Sequence, residues 1–230
     1  MALVTKKHLV VLWTCLLFLS IYSCKSKVTA PPEPVRSDGS IFKSSFEIEE
    51  DIAGWEFHGR GVYSIKNGEL VLIQSDGDNA IDTPDHKLGK NEEYVVQADF
   101  RIPINAKLRP PFMIIGLLTD GRRGLDWRTN FMLFTDLGYQ YKVGVQEPEK
   151  LEFEPELDKG KTYTIAIHLT SRHKAHYFLF SGDQDPGTFL GTIKLTSNRS
   201  RKIRIGNVIS SGSGELVIDN VMLGKPTKPL

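Results

Sequence analysis

The sequence predicts an all-β protein, an antiparallel sandwich of two sheets, and three observations lead there. From residue 41 onward the chain breaks into short segments rich in Val, Ile, Tyr, Phe and Thr, each closed by Gly, Asn, Asp or Pro. Several of these segments alternate apolar and polar residues, the period of a strand with one buried face. No run carries the 3.6-residue periodicity of a crossover helix, so parallel βαβ units are excluded.

The segments follow in order. Residues 62–66 and 69–74 flank Asn67-Gly68, a two-residue hairpin signal. In 94–102, Tyr94, Val96, Ala98, Phe100 and Ile102 alternate with Val95, Gln97, Asp99 and Arg101, which sets a buried face against a wetter one. Residues 112–119 are apolar throughout, the mark of a strand covered on both faces. Segments 130–135, 139–145, 162–170, 175–180, 189–195, 203–208 and 215–223 complete the set. Within 162–170, Tyr163, Ile165, Ile167 and Leu169 share one face, and Thr164, Ala166 and His168 the other. About eleven strands at this spacing suit two packed antiparallel sheets. Trp55 is expected in the core.

Ahead of the sandwich stands a different kind of segment. Lys6 and Lys7 precede a continuous apolar run from Leu9 that stops at Cys24, which is the pattern of a secretory signal peptide over 1–23. The run is shorter than the roughly 20 apolar residues a membrane-spanning helix needs. An ordinary signal peptide cut elsewhere is the alternative to a lipid-bearing one. Residues 24–40, with Pro31, Pro32 and Pro34 followed by Ser, Asp and Gly, read as an extended tether with little to bury. One domain over 41–224 and a tail at 225–230 follow. Cys24 is the last cysteine, so the chain beyond it has no internal disulfide and must be held by its core. A core from about 190 residues is large enough to do so.

Charge excludes one class of partner. The chain has 29 basic and 28 acidic residues; without Lys6 and Lys7 it has 27 against 28, a net charge of −1. A nucleic-acid binder would carry a clustered basic excess. Membrane contact would come from lipid, not from charge.

Two stretches resemble known families. Ile21-Tyr22-Ser23-Cys24 resembles the lipobox of bacterial lipoproteins, which implies that Cys24 becomes a lipidated N-terminus, thioether-linked to diacylglycerol and N-acylated, palmitate-type chains included. Several acyl chains together anchor a protein stably. Bacteroidetes-like surface lipoproteins carry acidic residues behind that cysteine; here Lys25-Ser26-Lys27 stand there, which by that resemblance favours the periplasmic face of the outer membrane. The opening Phe46-Glu47, Gly54-Trp55, Tyr63 to Leu70 and the close Gly214 to Gly224 (GELVIDNVMLG) resemble concanavalin A-like lectin/glucanase jelly rolls. That resemblance covers about Phe46 to Gly224 and implies a jelly roll with first and last strands side by side. The superfamily hosts lectins, carbohydrate-binding modules, glycosidases and polysaccharide lyases, so fold alone does not choose among them.

Candidate chemistry is sparse. The E-x-D-x-x-E strand of jelly-roll glucanases is absent, and the acidic stretches 47–51 and 147–156 read as solvated. A lyase would need a base; His168, on the wetter face of its strand, and Tyr141, in a faint likeness to the Y-F-K-x-G segment of alginate lyases, are the candidates. For sugar binding, the loop 119–130 (TDGRRGLDWRTN) offers Trp127 as a flat face beside Arg122, Arg123 and Arg128, whose guanidinium groups suit carboxylate or sulfate. Tyr139 would extend that platform. Calcium, by analogy with sandwiches that hold it where first and last strands meet, would take Glu47 and Asp219 as hard oxygen ligands. The expectation is a lipid-anchored jelly roll that binds a polysaccharide or oligosaccharide, acidic ones among them. Enzymatic action on the same fold, or a purely structural envelope role, are the alternatives.

Overall fold

The computed structural model describes residues 30–59, 62–74, 79–86, 88–89, 91–104, 112–119, 131–134, 140–143, 157–194, 200–207 and 214–228. In chain order its strands are β1 (Arg36–Ser37), β2 (Phe42–Ser44), β3 (Glu56–Gly59), β4 (Val62–Lys66), β5 (Glu69–Gln74), β6 (Asn79–Asp82), β7 (Tyr94–Arg101) and β8 (Phe112–Thr119). They continue as β9 (Phe131–Phe134), β10 (Gln140–Val143), β11 (Thr162–Leu169), β12 (Lys174–Phe180), β13 (Thr188–Lys194), β14 (Ser200–Asn207), β15 (Gly214–Gly224) and β16 (Pro226–Thr227). One 3-10 turn, Glu49–Ile52, lies between β2 and β3.

These strands make the expected antiparallel sandwich. A six-stranded sheet runs β10-β9-β8-β14-β6-β3, and an eight-stranded sheet runs β13-β12-β11-β7-β15-β5-β4, with β2 also paired to β15. First and last strands of the domain do lie side by side, Leu223 opposite Phe42 and Val221 opposite Ser44. The β4–β5 hairpin turns on Asn67 and Gly68, both at positive φ (54° and 75°), the conformation a type I′ turn demands.

Alternation decides which way each strand faces. Tyr94, Val96, Ala98 and Phe100 of β7, and Tyr163, Ile165, Ile167 and Leu169 of β11, point inward to a single core shared with Ile81, Ile115, Ile203 and Ile205 of the opposite sheet. Trp55 belongs to the same core, its ring 5.7 Å from Phe46 and 5.9 Å from Phe42. In β8, expected to be covered on both faces, Ile115 is buried, and its neighbour Gly116 is registered opposite Arg204.

The outward face of the eight-stranded sheet holds a second, smaller apolar cluster, Val95, Ala166, Phe178 and Phe180, packed by Val35 and Phe189. The segment that covers it was expected to be solvated. Arg36 and Ser37 pair with Thr227 and Pro226, so the end of the tether and the start of the tail form a small sheet of their own. The Arg36 guanidinium sits 4.1 Å over the Phe180 ring and donates to the Gly182 carbonyl at 2.8 Å. Ser37 N donates to the Gln97 side chain at 3.1 Å, and the backbone of Lys225 donates to Asp38. The ordered part of the fold therefore begins ahead of residue 41, because the outward apolar cluster needs Val35 and Arg36 to leave water. A chain beginning at Ile41 is expected to be about 2–4 kcal/mol less stable to urea than one beginning at Pro32. Equal unfolding midpoints would show that the clasp contributes nothing.

Candidate functional site

Three strands of the six-stranded sheet carry a cluster of polar side chains built on a buried ion pair. In β3, β6 and β14 the period of two turns Ile81, Ile203 and Ile205 into the core. Phe57, also on that side of β3, stacks on Tyr63 of β4 at 3.8 Å and 11°, both residues remaining exposed. The alternate residues, Glu56 and His58, Ala80 and Asp82, and Lys202, Arg204 and Gly206, face outward. Register brings them together: Glu56 is opposite Asp82, Asp82 opposite Arg204, and His58 opposite Ala80, which is itself opposite Gly206.

At the centre lies an ion pair taken out of water. Arg204 Nε donates to Asp82 Oδ1 and Nη2 to Oδ2, both at 2.5 Å, with side chains only 7% and 2% exposed. A fork-to-fork geometry of this kind satisfies both oxygens. Burying two charges still carries a desolvation cost that an apolar pair of the same volume would avoid. Around it stand three groups that reach solvent: Glu56 (59% exposed), His58 (37%) and Lys202 (22%). His58 Nε2 lies 2.9 Å from Asp82 Oδ2. An ionised carboxylate only accepts, so Nε2 carries the proton in this contact, and when the ring holds a single proton Nδ1 is left as an acceptor. Lys202 Nζ is 2.8 Å from Glu56 Oε2. The hydrogen bond from Lys202, and then its charge, hold the Glu56 carboxyl below its ordinary range, and the same bond raises the Lys202 ammonium.

Glu56, His58 and Asp82 also place three metal-capable atoms within 4.8 Å of one another, and they alone do so among the described residues. Arg204 already occupies both oxygens of Asp82, and Lys202 occupies Glu56. A divalent cation would have to displace two protein cations, so the donor set is matched without one.

The residues singled out from the sequence are distributed differently. Cys24, Arg122, Arg123, Trp127, Arg128 and Tyr139 lie outside the described residues. The loop that bears most of them joins β8 to β9 in the six-stranded sheet, leaving β8 at Thr119 opposite Ser200, two residues before Lys202. Tyr141 is on β10, the edge strand of that sheet, opposite Leu133. His168 is on β11 of the other sheet and faces outward, away from the core. His168 and Tyr141 are thus on strands of different sheets. His168 Nε2 is 3.2 Å from Glu93, and its cross-strand partner His176 lies ring to ring at 5.9 Å, bonded in turn to Thr192. Burial holds both imidazoles below their usual value; Glu93 opposes this at His168, while the charges of His168 and Lys174 add to it at His176.

Glu47 and Asp219 enter one acidic neighbourhood. Asp219 is opposite Asp99, and the Asn220 side-chain amide donates to both carboxylates at 3.0 Å. Burial raises the carboxyls of Asp99 and Asp219, and the charges of Asp99, Glu69 and Glu47 raise Asp219 further. The Glu47 carboxylate packs against the Gly68 turn.

No family model matches the chain, and no curated protein matches it. Solved structures do resemble it. The CBM2 module of the evolved Dit of Lactobacillus casei BL23 phage J-1 is 11% identical over 83% of this chain and 96% of that one, with a TM-score of 0.55. A carbohydrate esterase from the Shiga toxin-encoding bacteriophage phi24B is 14% identical over 85% and 100%, TM-score 0.52. A Bacillus subtilis protein of unknown function with a galectin-like fold is 10% identical over 85% and 100%, TM-score 0.50. At such identities the likeness is one of fold, an all-β antiparallel jelly-roll sandwich.

Two stability measurements follow from this geometry. Asp82→Ala leaves the Arg204 guanidinium buried and unpaired and is expected to cost about 3–5 kcal/mol in chemical denaturation. Glu56→Ala breaks an exposed pair and is expected to cost at most about 1 kcal/mol. Comparable losses from both would contradict the buried-pair assignment. For pH, the folded chain keeps His86, His168 and His176 below the ordinary imidazole value of about 6.5, burial being the first cause in each. The unfolded chain then binds more protons just below that value, so stability falls as pH drops from there toward the folded-state values. His168→Gln and His176→Gln are expected to flatten that slope, read from urea midpoints across pH 5–7.5. An unchanged slope would remove the two histidines from the acid response.

Proposed function

We propose that this chain is a membrane-anchored lipoprotein whose jelly-roll domain binds glycan at the outward face of β3, β6 and β14, serving polysaccharide capture or utilisation. The observation that carries the reading is the buried Asp82–Arg204 pair. It is a poor way to stabilise a sheet but a good way to orient His58 and its neighbours at the surface. Sugars are recognised through planar hydrogen-bonding groups held rigidly, often beside a flat aromatic face. Here Glu56, His58 and Lys202 supply the polar groups. Trp127, Arg122, Arg123 and Arg128 lie outside the described residues, in the stretch of sequence that follows β8, whose Leu118 is registered opposite Lys202.

Supporting this reading, two of the similar solved structures are a CBM2 module and a carbohydrate esterase. The apolar leader ending at Cys24 supports export and lipid anchoring, with the periplasmic face of the outer membrane as the favoured site. A second reading, enzymatic action on the bound glycan, draws on the His58–Asp82 contact, in which a carboxylate orients an imidazole as it does for a general base.

The test is affinity electrophoresis of the protein against a panel of plant, algal and bacterial polysaccharides, with product analysis on every ligand that slows it. Retardation without new reducing ends or unsaturated sugars is the expected result. Released fragments would instead establish the enzyme, with His58→Ala expected to lower turnover at least about a hundredfold. A chain that migrates unchanged through every gel does not bind glycan.

A further inference from the structure

We infer that the outward face of β3, β6 and β14 reads an uncharged glycan, through hydroxyl groups shared among Glu56, His58 and Lys202, and disfavours sugars that carry carboxylate or sulfate. The inference rests on the glycan reading above and names the class of ligand within it. Its basis is the charge pattern of the face. Arg204 is matched on both nitrogens that face Asp82, and Lys202 is matched by Glu56. Two cations thus meet two anions, and Asp85, close enough to act on Lys202, adds a further negative charge. Among the described residues of this face no cation is left over for an acidic sugar; the arginines at 122, 123 and 128 lie outside them.

An anionic group arriving at His58 would stand beside the carboxylates of Glu56 and Asp82. It would have to break the Lys202–Glu56 pair to find a counter-charge, leaving Glu56 unmatched at the same surface. A hydroxyl has no such difficulty, because it both donates and accepts. It can donate to Glu56 or to Nδ1 of His58, whose tautomer is set by Asp82, and accept from Lys202. Neighbouring hydroxyls on one ring can use an acceptor and a donor together. Ala80 and Gly206, the small residues registered beside His58, are buried, so contact with a ligand rests on the solvent-reaching Glu56, His58 and Lys202.

The full chain would be run in affinity gels and in titration calorimetry against neutral polysaccharides (xylan, glucomannan, β-glucan, starch) and acidic ones (alginate, polygalacturonate, dextran sulfate). The expected result is binding to a neutral polymer that changes less than about twofold between 50 and 500 mM salt. His58→Ala and Lys202→Met should each weaken it about tenfold, the effect of losing one or two hydrogen bonds. Thermal melts would show whether each variant folds, and Glu56→Gln, which keeps the shape of an exposed side chain, serves if either does not. Binding confined to acidic polymers, and lost with salt, would overturn the inference while leaving the glycan reading standing. Neutral binding untouched by all three variants would equally overturn it, since the ligand would then sit elsewhere. Absence of binding to both groups would overturn the glycan reading itself, and the inference with it.

Discussion

A strand of period two can bury only one of its faces against a partner sheet, and the rest of this structure depends on that constraint. The inward residues of β7 and β11 meet Ile81, Ile203 and Ile205 across a single core, with no cysteine after Cys24 to help. Once the inner faces are committed, the outer faces must be made safe by other means. The two sheets solve that problem differently, and the difference locates the site.

On the eight-stranded sheet the outer face is largely covered. Phe178, Phe180, Val95 and Ala166 are roofed by the strand at Arg36–Ser37, which is itself held by Pro226–Thr227. Arg36 suits this place because its planar cation lies flat on an aromatic ring while its stem covers apolar surface. Toward β5 and β15 the same face becomes acidic, and Asn220 bridges Asp99 and Asp219. Burial is the first cause that raises both carboxyls there.

The six-stranded sheet takes the other course. Its outer face over β3, β6 and β14 is polar down to the buried layer, and the Asp82 carboxylate receives three donors. The pair beneath holds the His58 ring through Asp82, while Glu56 and Lys202 hold each other. A rigid group of this kind costs less to order when a partner binds, which is the physical ground for the glycan reading proposed above.

Much of the architecture was legible in the residues themselves. The Asn67-Gly68 turn and the inward sets of 94–102 and 162–170 follow from local chemistry, because alternation and turn type depend on neighbours in the chain; the pairing of first and last strands came only from the family resemblance. The site was not legible. Its strands β3 (EFHG) and β6 (NAID) are four residues each, too short to display a period, and their polar members look like surface. Asp82 stands 122 residues from Arg204 and 24 from His58, so nothing local marks them as partners. Likewise Arg36 and Thr227, in two proline-containing segments that read as solvated, become a paired clasp only when the eight-stranded sheet presents Phe180 beneath them. Sequence alone determined which residues turn inward and where the chain reverses. Tertiary structure decided which outward residues meet, because an ion pair, a tautomer and a covered apolar patch exist only between strands that register brings together.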